Sequence, residues 1–161
     1  MDYAKGEFVV YPRYGVGRVL GVARKKFADQ SERCLGIQFD HQNLTLYLPV
    51  HRLDKVRLRK VMSRNGVRRV MEALKSRARY DPKQSHKERL KDYQAKFNTG
   101  DPIQMAEVAR DLARLSKKQE LTMEEESLCR ESITLLAREI AIRRDKEITE
   151  VRSDMEQLLY R

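Results

Sequence analysis

The hydrophobic period of this chain changes once, near residue 60, and that change limits it to two separately built units. Before it, apolar residues come in short runs rich in β-formers and broken by glycine. Beyond it, they recur every three or four residues. A strand presents alternate residues to a core and a helix presents one stripe, so the two patterns need different partners.

The first half begins with Phe8-Val9-Val10-Tyr11, which stops at Pro12. Val16 to Val22 follows, punctuated by Gly15, Gly17 and Gly21, a density that marks bulges or sharp coiling in a small bent sheet. Ala28-Asp29-Gln30-Ser31 reads as a turn, and Leu35, Ile37 and Phe39 share one face of a third strand. Asp40-His41-Gln42-Asn43 turns the chain into Leu44–Leu48, which Pro49 ends or places on an edge. Four or five such strands predict a small open barrel over residues 1–55, with a linker at about 51–60.

Residues 60–161 predict a bundle of about five helices, making the fold class α+β. Val67, Val70, Met71 and Leu74 mark the first helix, and His86, Leu90, Tyr93 and Phe97 the second. Asn98-Thr99-Gly100 closes the second helix. Asp101 caps a third, with Pro102 at its first position and Gln104 placed to complete a capping box. Thr122 and Glu125 repeat the box for a fourth helix, whose wide apolar arc from Leu128 to Ile142 predicts the central buried helix. Ile148, Val151, Met155, Leu158 and Leu159 define the last.

Charge follows a different division. Residues 57–100 hold 14 Lys/Arg against 4 Asp/Glu, and this one stretch carries a balance equal to the whole formal +10 of the chain, because the flanks cancel. Arg64, Arg68, Arg69 and Lys75 lie on the polar side of the first helix, Arg77, Arg79 and Lys83 in the following loop, and Lys87 and Lys91 at i and i+4 on the second. Such a block is the footprint of contact with an acidic polymer and would hold phosphates. Tyr80 and His86 are the rings nearest its loop, and the chain has no tryptophan. His86 shares the stripe of Leu90 and Tyr93, so it either covers the end of the core or faces outward.

Catalytic motifs are absent: there is no phosphate loop, nucleophile elbow or metal-ligand spacing. No catalytic residue, metal or cofactor is expected. Cys34 and Cys129 read as buried free thiols. The chain shows no signal-peptide core and no apolar run of bilayer length, so no membrane contact and a cytoplasmic, nucleoid-associated location are expected. In the β-rich half, Tyr47 and Pro49 end a strand that looks like an edge, with Arg24, Lys25 and Lys26 as a basic rim, which suits a protein partner.

The stretch Val9-Val10-Tyr11-Pro12-Arg13-Tyr14-Gly15-Val16-Gly17-Arg18-Val19 resembles the opening of the CarD/CdnL family of bacterial transcription regulators. Asn98-Thr99-Gly100-Asp101 and Ala106-Glu107-Val108-Ala109-Arg110-Asp111-Leu112 resemble that family's helical domain. The resemblance spans essentially the whole chain; the first half alone is also similar to the polymerase-binding module of the transcription-repair coupling factor. It implies a Tudor-like N-terminal domain that binds the RNA polymerase β subunit, and a helical domain that contacts promoter DNA at the upstream edge of the transcription bubble. The two contacts together would stabilise the open complex. By position, the polymerase-facing residues would be Lys25, Ile37, Tyr47 and Pro49. The DNA-facing ones would include His86, Lys87, Arg89 and Lys91, with Arg68, Arg69 and Lys83 added from the basic block. Where many family members carry a wedge tryptophan this chain has His86, so backbone contacts would carry more of the DNA binding.

A monomeric, non-enzymatic regulator bridging polymerase and promoter DNA is the leading expectation. A free-standing nucleic-acid-binding protein, nucleoid- or RNA-associated, is the alternative; a polymerase-interaction module whose helices bind another protein is a third.

Overall fold

A computed structural model describes residues 3–12 and 14–160; Arg13, within the stretch quoted above, lies outside them. The chain divides into two compact units between Val61 and Met62.

The first unit is one antiparallel sheet of β1 (Phe8–Tyr11), β2 (Gly15–Phe27), β3 (Gln30–Phe39), β4 (Leu44–Pro49) and β5 (Arg59–Lys60), in the order β4-β3-β2-β1-β5. The sheet is not closed, so β4 and β5 are its edges. Residues read as linker therefore belong to the sheet: Arg59 and Lys60 pair with Val10 and Val9. Strands β2 and β3 run further than their apolar runs suggested, pairing through Arg24↔Arg33 to Phe27↔Gln30 around Ala28 and Asp29. Ladder hydrogen bonds join backbones whatever the side chains, so hydropathy does not see this polar end of the hairpin.

Val9, Val19, Leu35, Ile37, Phe39, Leu53 and Leu58 form the core of this unit. Gly17 is required beneath it, because a Cβ there would lie 2.5 Å from Ile37 Cγ2 and 2.8 Å from Phe39 Cε1. Between Val19 and Gly21 the register slips at a bulge, with Leu20 as the extra residue and Gly21 at φ +119°.

The second unit contains α1 (Arg64–Lys75), α2 (His86–Asn98), α3 (Pro102–Leu115), α4 (Met123–Arg144) and α5 (Ile148–Leu159). Ser63, Ser85, Asp101 and Thr122 cap the first four through their side chains. The box at Thr122 and Glu125 is complete. At Asp101 the carboxylate accepts from Ile103 and Gln104 N–H, but its own N–H donates to Thr99 Oγ1 rather than to Gln104. The central helix is α3 and not α4: nine of its fourteen residues are buried, against ten of twenty-two in α4. Ala106, Ala109 and Ala113 let neighbours approach α3 closely, and such small side chains give a weaker apolar signal than the Leu and Ile residues of α4.

Two arrangements of charged side chains tie the bundle together. Arg89 of α2 donates through Nε to Glu125 of α4 at 2.7 Å, with both side chains almost fully buried. Burial pushes the Glu125 carboxyl up, but the bonds from Arg89 and from the Thr122 backbone outweigh it and leave the pKa lowered. At the other end of α4, Glu139 Oε2 accepts from Met62 N–H and Arg143 Nε donates to Met62 O, each at 2.7 Å.

Gly17→Ala should lower the stability of the first unit by about 1–3 kcal/mol, the cost of forcing an extra methyl into a packed core; urea denaturation measures it. Arg89→Leu should cost about 3–5 kcal/mol by leaving Glu125 buried without its partner. A group with a lowered folded pKa stabilises fully above its unfolded value, about 4.3 for glutamate, and loses that contribution as pH falls through the folded one. Wild type should therefore lose stability below about pH 4 more steeply than Arg89→Leu, read from urea midpoints across that range.

Candidate functional site

Each unit presents one surface. On the sheet, the register places Gly21, Ala23 and Lys25 of β2, Cys34 and Gly36 of β3, and Tyr47 and Pro49 of β4 on the same face. The bulge at Leu20 is what puts Lys25 there. In an unbroken strand Lys25 would share the face of Val19, which points into the core; one extra residue flips every later side chain. Lys25 Nζ then lies 4.2 Å from the centroid of the Tyr47 ring, a cation–π contact. Gly36 leaves room for the ring, since a Cβ there would approach Tyr47 Cε1 to 3.1 Å. Tyr47 remains 39% exposed, and β4 is an edge of the sheet.

Three of the four residues expected at a polymerase-facing surface, Lys25, Tyr47 and Pro49, thus share one face. Ile37 does not. It points to the opposite face, pairs with Val19 and Leu46, and is fully buried in the core. The alternation that makes Tyr47 outward makes Ile37 inward. Cys34 is also fully buried although it lies on the outer face, and burial is the first cause raising its thiol pKa. Both cysteines are free, as their apolar neighbours suggested.

On the helical unit, Arg68 and Arg69 of α1, Lys83 of the following loop, and His86, Lys87 and Lys91 of α2 are all exposed. Arg68 is tethered to its own helix through Glu72 and Asn65. Lys87 and Lys91 form no ion pair among the described residues. Arg89 is the correction here. It was expected to face DNA, but it is buried against Glu125, and that bond is the main cause holding its guanidinium firmly charged. His86 occupies the first turn of α2, just after the Ser85 cap, and is exposed rather than covering the core.

Neither surface contains a group of three or more His, Cys, Asp or Glu side chains fit to hold a metal among the described residues. No described helix is long and apolar enough to cross a membrane. What the arrangement offers is a sheet edge with a ring under a cation, and a helical face rich in exposed positive charge.

Residues 3–62 match the family model of the CarD-like/TRCF RID domain, and residues 69–156 match that of the CarD C-terminal domain. The chain belongs to the CarD family. Members are transcription regulators, and the two matches fall on the two units described above. The chain is also 26% identical over 137 residues to a protein of Bacillus subtilis (strain 168) named "Putative transcription factor YdeB", a match covering 85% of this chain and 89% of that one.

Lys87→Ala and Lys91→Ala should each change stability by less than about 0.5 kcal/mol, as for solvated side chains without partners. The contrast with Arg89, two positions from each, is the check that α2 is oriented as described; thermal denaturation of the single variants provides it.

Proposed function

We propose that the protein stabilises the transcription open complex by bridging two partners. The β4 edge and its outer face dock on the β subunit of RNA polymerase, with Lys25, Tyr47 and Pro49 as contacts. The helical unit holds promoter DNA at the upstream edge of the bubble through Arg69, Lys83, Lys87 and Lys91, with Arg68 and His86 beside them. The observation that carries this reading is the convergence of Lys25, Tyr47 and Pro49 from two strands onto one outer face at a sheet edge, with the Tyr47 ring exposed. An unpaired edge can be extended by a partner strand, and an amphipathic ring beside it is a typical anchor for a protein partner.

The cations on α1 and α2 suit phosphates, whose contacts fix position without reading sequence. A weak contact of that kind gains when the other unit is already docked, because the DNA then faces it at a high effective concentration. Promoter choice is left to the polymerase. No step in this scheme needs bond chemistry, so the protein acts as a non-enzymatic binder.

Open-complex lifetime under competitor challenge tests the scheme. Wild type should lengthen it, and both Tyr47→Ala and the Lys87→Glu/Lys91→Glu double variant should remove the effect. An unchanged lifetime with wild type at several promoters refutes the proposal. If Tyr47→Ala keeps full activity while the double variant loses it, the protein is a free-standing nucleic-acid binder, and its affinity should fall steeply with salt in the absence of polymerase.

A further inference from the structure

The Arg110-Asp111 pair of α3 is buried, and besides meeting the end of α1 it reaches an exposed loop. Asp111 Oδ1 accepts from Arg79 N–H at 3.2 Å and from Arg110 Nε at 2.8 Å. Arg110 also donates to Ser76 Oγ at 2.6 Å. One turn on, Arg114 donates to the carbonyls of Leu74 and Ser76, each at 2.9 Å. The far side of the loop is fixed as well: Asp81 accepts from Lys83 N–H, and the Gln84 side chain donates to Asp92.

What that segment presents is a ring. Tyr80 is 44% exposed at its centre. Lys118, from the turn after α3, places its ammonium over one face of the ring, 5.1 Å from the centroid. Arg77, Arg79 and Lys83 are exposed along the same loop. Lys118 lies outside the basic block of the sequence, and only folding brings it to Tyr80. On α2, the loop lies toward Arg89, Asp92 and Lys96, which with Asp81 and Asp111 line a cleft of mixed charge beside Tyr80, and so away from Lys87 and Lys91.

We infer that Tyr80 is a stacking platform for an unpaired nucleobase, flanked by Lys118 and the loop arginines as phosphate contacts. The inference rests on the nucleic-acid reading of the helical unit and extends it to single-stranded DNA. An aromatic face on a rigid loop among cations is the arrangement that binds single strands without reading sequence: bases stack on the ring while the cations follow the backbone. Prior fixation of the loop by α3 spares the ordering entropy that a mobile loop would lose on binding.

The full-length protein and its variants are titrated at low salt by fluorescence anisotropy against two labelled DNAs, a blunt duplex and the same duplex ending in an unpaired tail. Tyr80→Ala should weaken binding to the tailed DNA at least about fivefold, as for loss of one base–aromatic stack, and leave the blunt duplex within about twofold. Tyr80→Phe should bind like wild type, and Lys118→Glu should weaken the tailed complex. Unchanged tailed-DNA affinity in Tyr80→Ala, with Lys87→Glu/Lys91→Glu weakened on both DNAs, overturns the inference and leaves the nucleic-acid reading standing. Equal losses on both DNAs in Tyr80→Ala also overturn it, since a blunt duplex offers no unpaired base. A tail-selective loss in Tyr80→Ala with no loss in the lysine variant upholds stacking and instead refutes the phosphate role of α2.

Discussion

The ion pair between Arg89 and Glu125 decides which way the second helix faces. The apolar stripe of α2 is thin: Tyr93 is buried, but Leu90 and Phe97 are only partly so. Taking two charges out of water costs several kilocalories per mole each, and attraction offsets that only in good geometry. Here the geometry is a 2.7 Å charge-assisted bond, with Glu125 also accepting from the Thr122 backbone. The pair therefore fixes the rotation of α2 as much as it stabilises it. Positions two residues either side of Arg89 lie about 200° round a helix, so burying the arginine turns Lys87 and Lys91 to solvent. The candidate DNA face follows from a charge that is not on it.

Polar groups in the helical unit act across elements in the same way elsewhere. Glu139 and Arg143, one turn apart on α4, clasp the N–H and carbonyl of Met62 at the start of the unit. Arg114 reaches the C-terminal carbonyls of α1 and also those of Leu158 and Leu159 in α5. Those carbonyls are the negative ends of helix dipoles with no partner inside their own helices, so a guanidinium suits them in both charge and geometry. A helix as central as α3 can carry Arg110, Asp111 and Arg114 because the two arginines reach the end of α1 and Asp111 accepts from Arg110 and the Arg79 N–H.

In the first unit the controlling device is a single extra residue. Before Leu20, strand β2 places Val19 in the core; after it, the outward face gains Lys25. Without the bulge Lys25 could not meet Tyr47, and the outer face would lose its cation. Gly17 and Gly36 serve the two faces separately, one admitting Ile37 and Phe39 and the other admitting the Tyr47 ring.

The sequence by itself determined the two classes of structure, the turns, the helix caps and the place of the positive charge, because each depends on local chemistry or on the period of burial. Gly100, at φ +73°, ends α2 as its position suggested, and Asp101 and Thr122 cap where their short polar side chains reach free N–H groups. It also located the sheet edge at Tyr47 and Pro49. Only the tertiary structure decided which members of those patterns reach a surface. Ile37 and Arg89 sit in the right segments but on the wrong faces, Lys118 joins Tyr80 from far along the chain, and α3 rather than α4 occupies the centre. A hydrophobic period cannot register a bulge that resets a strand's faces. Nor can it register a charge whose burial depends on a partner 36 residues away.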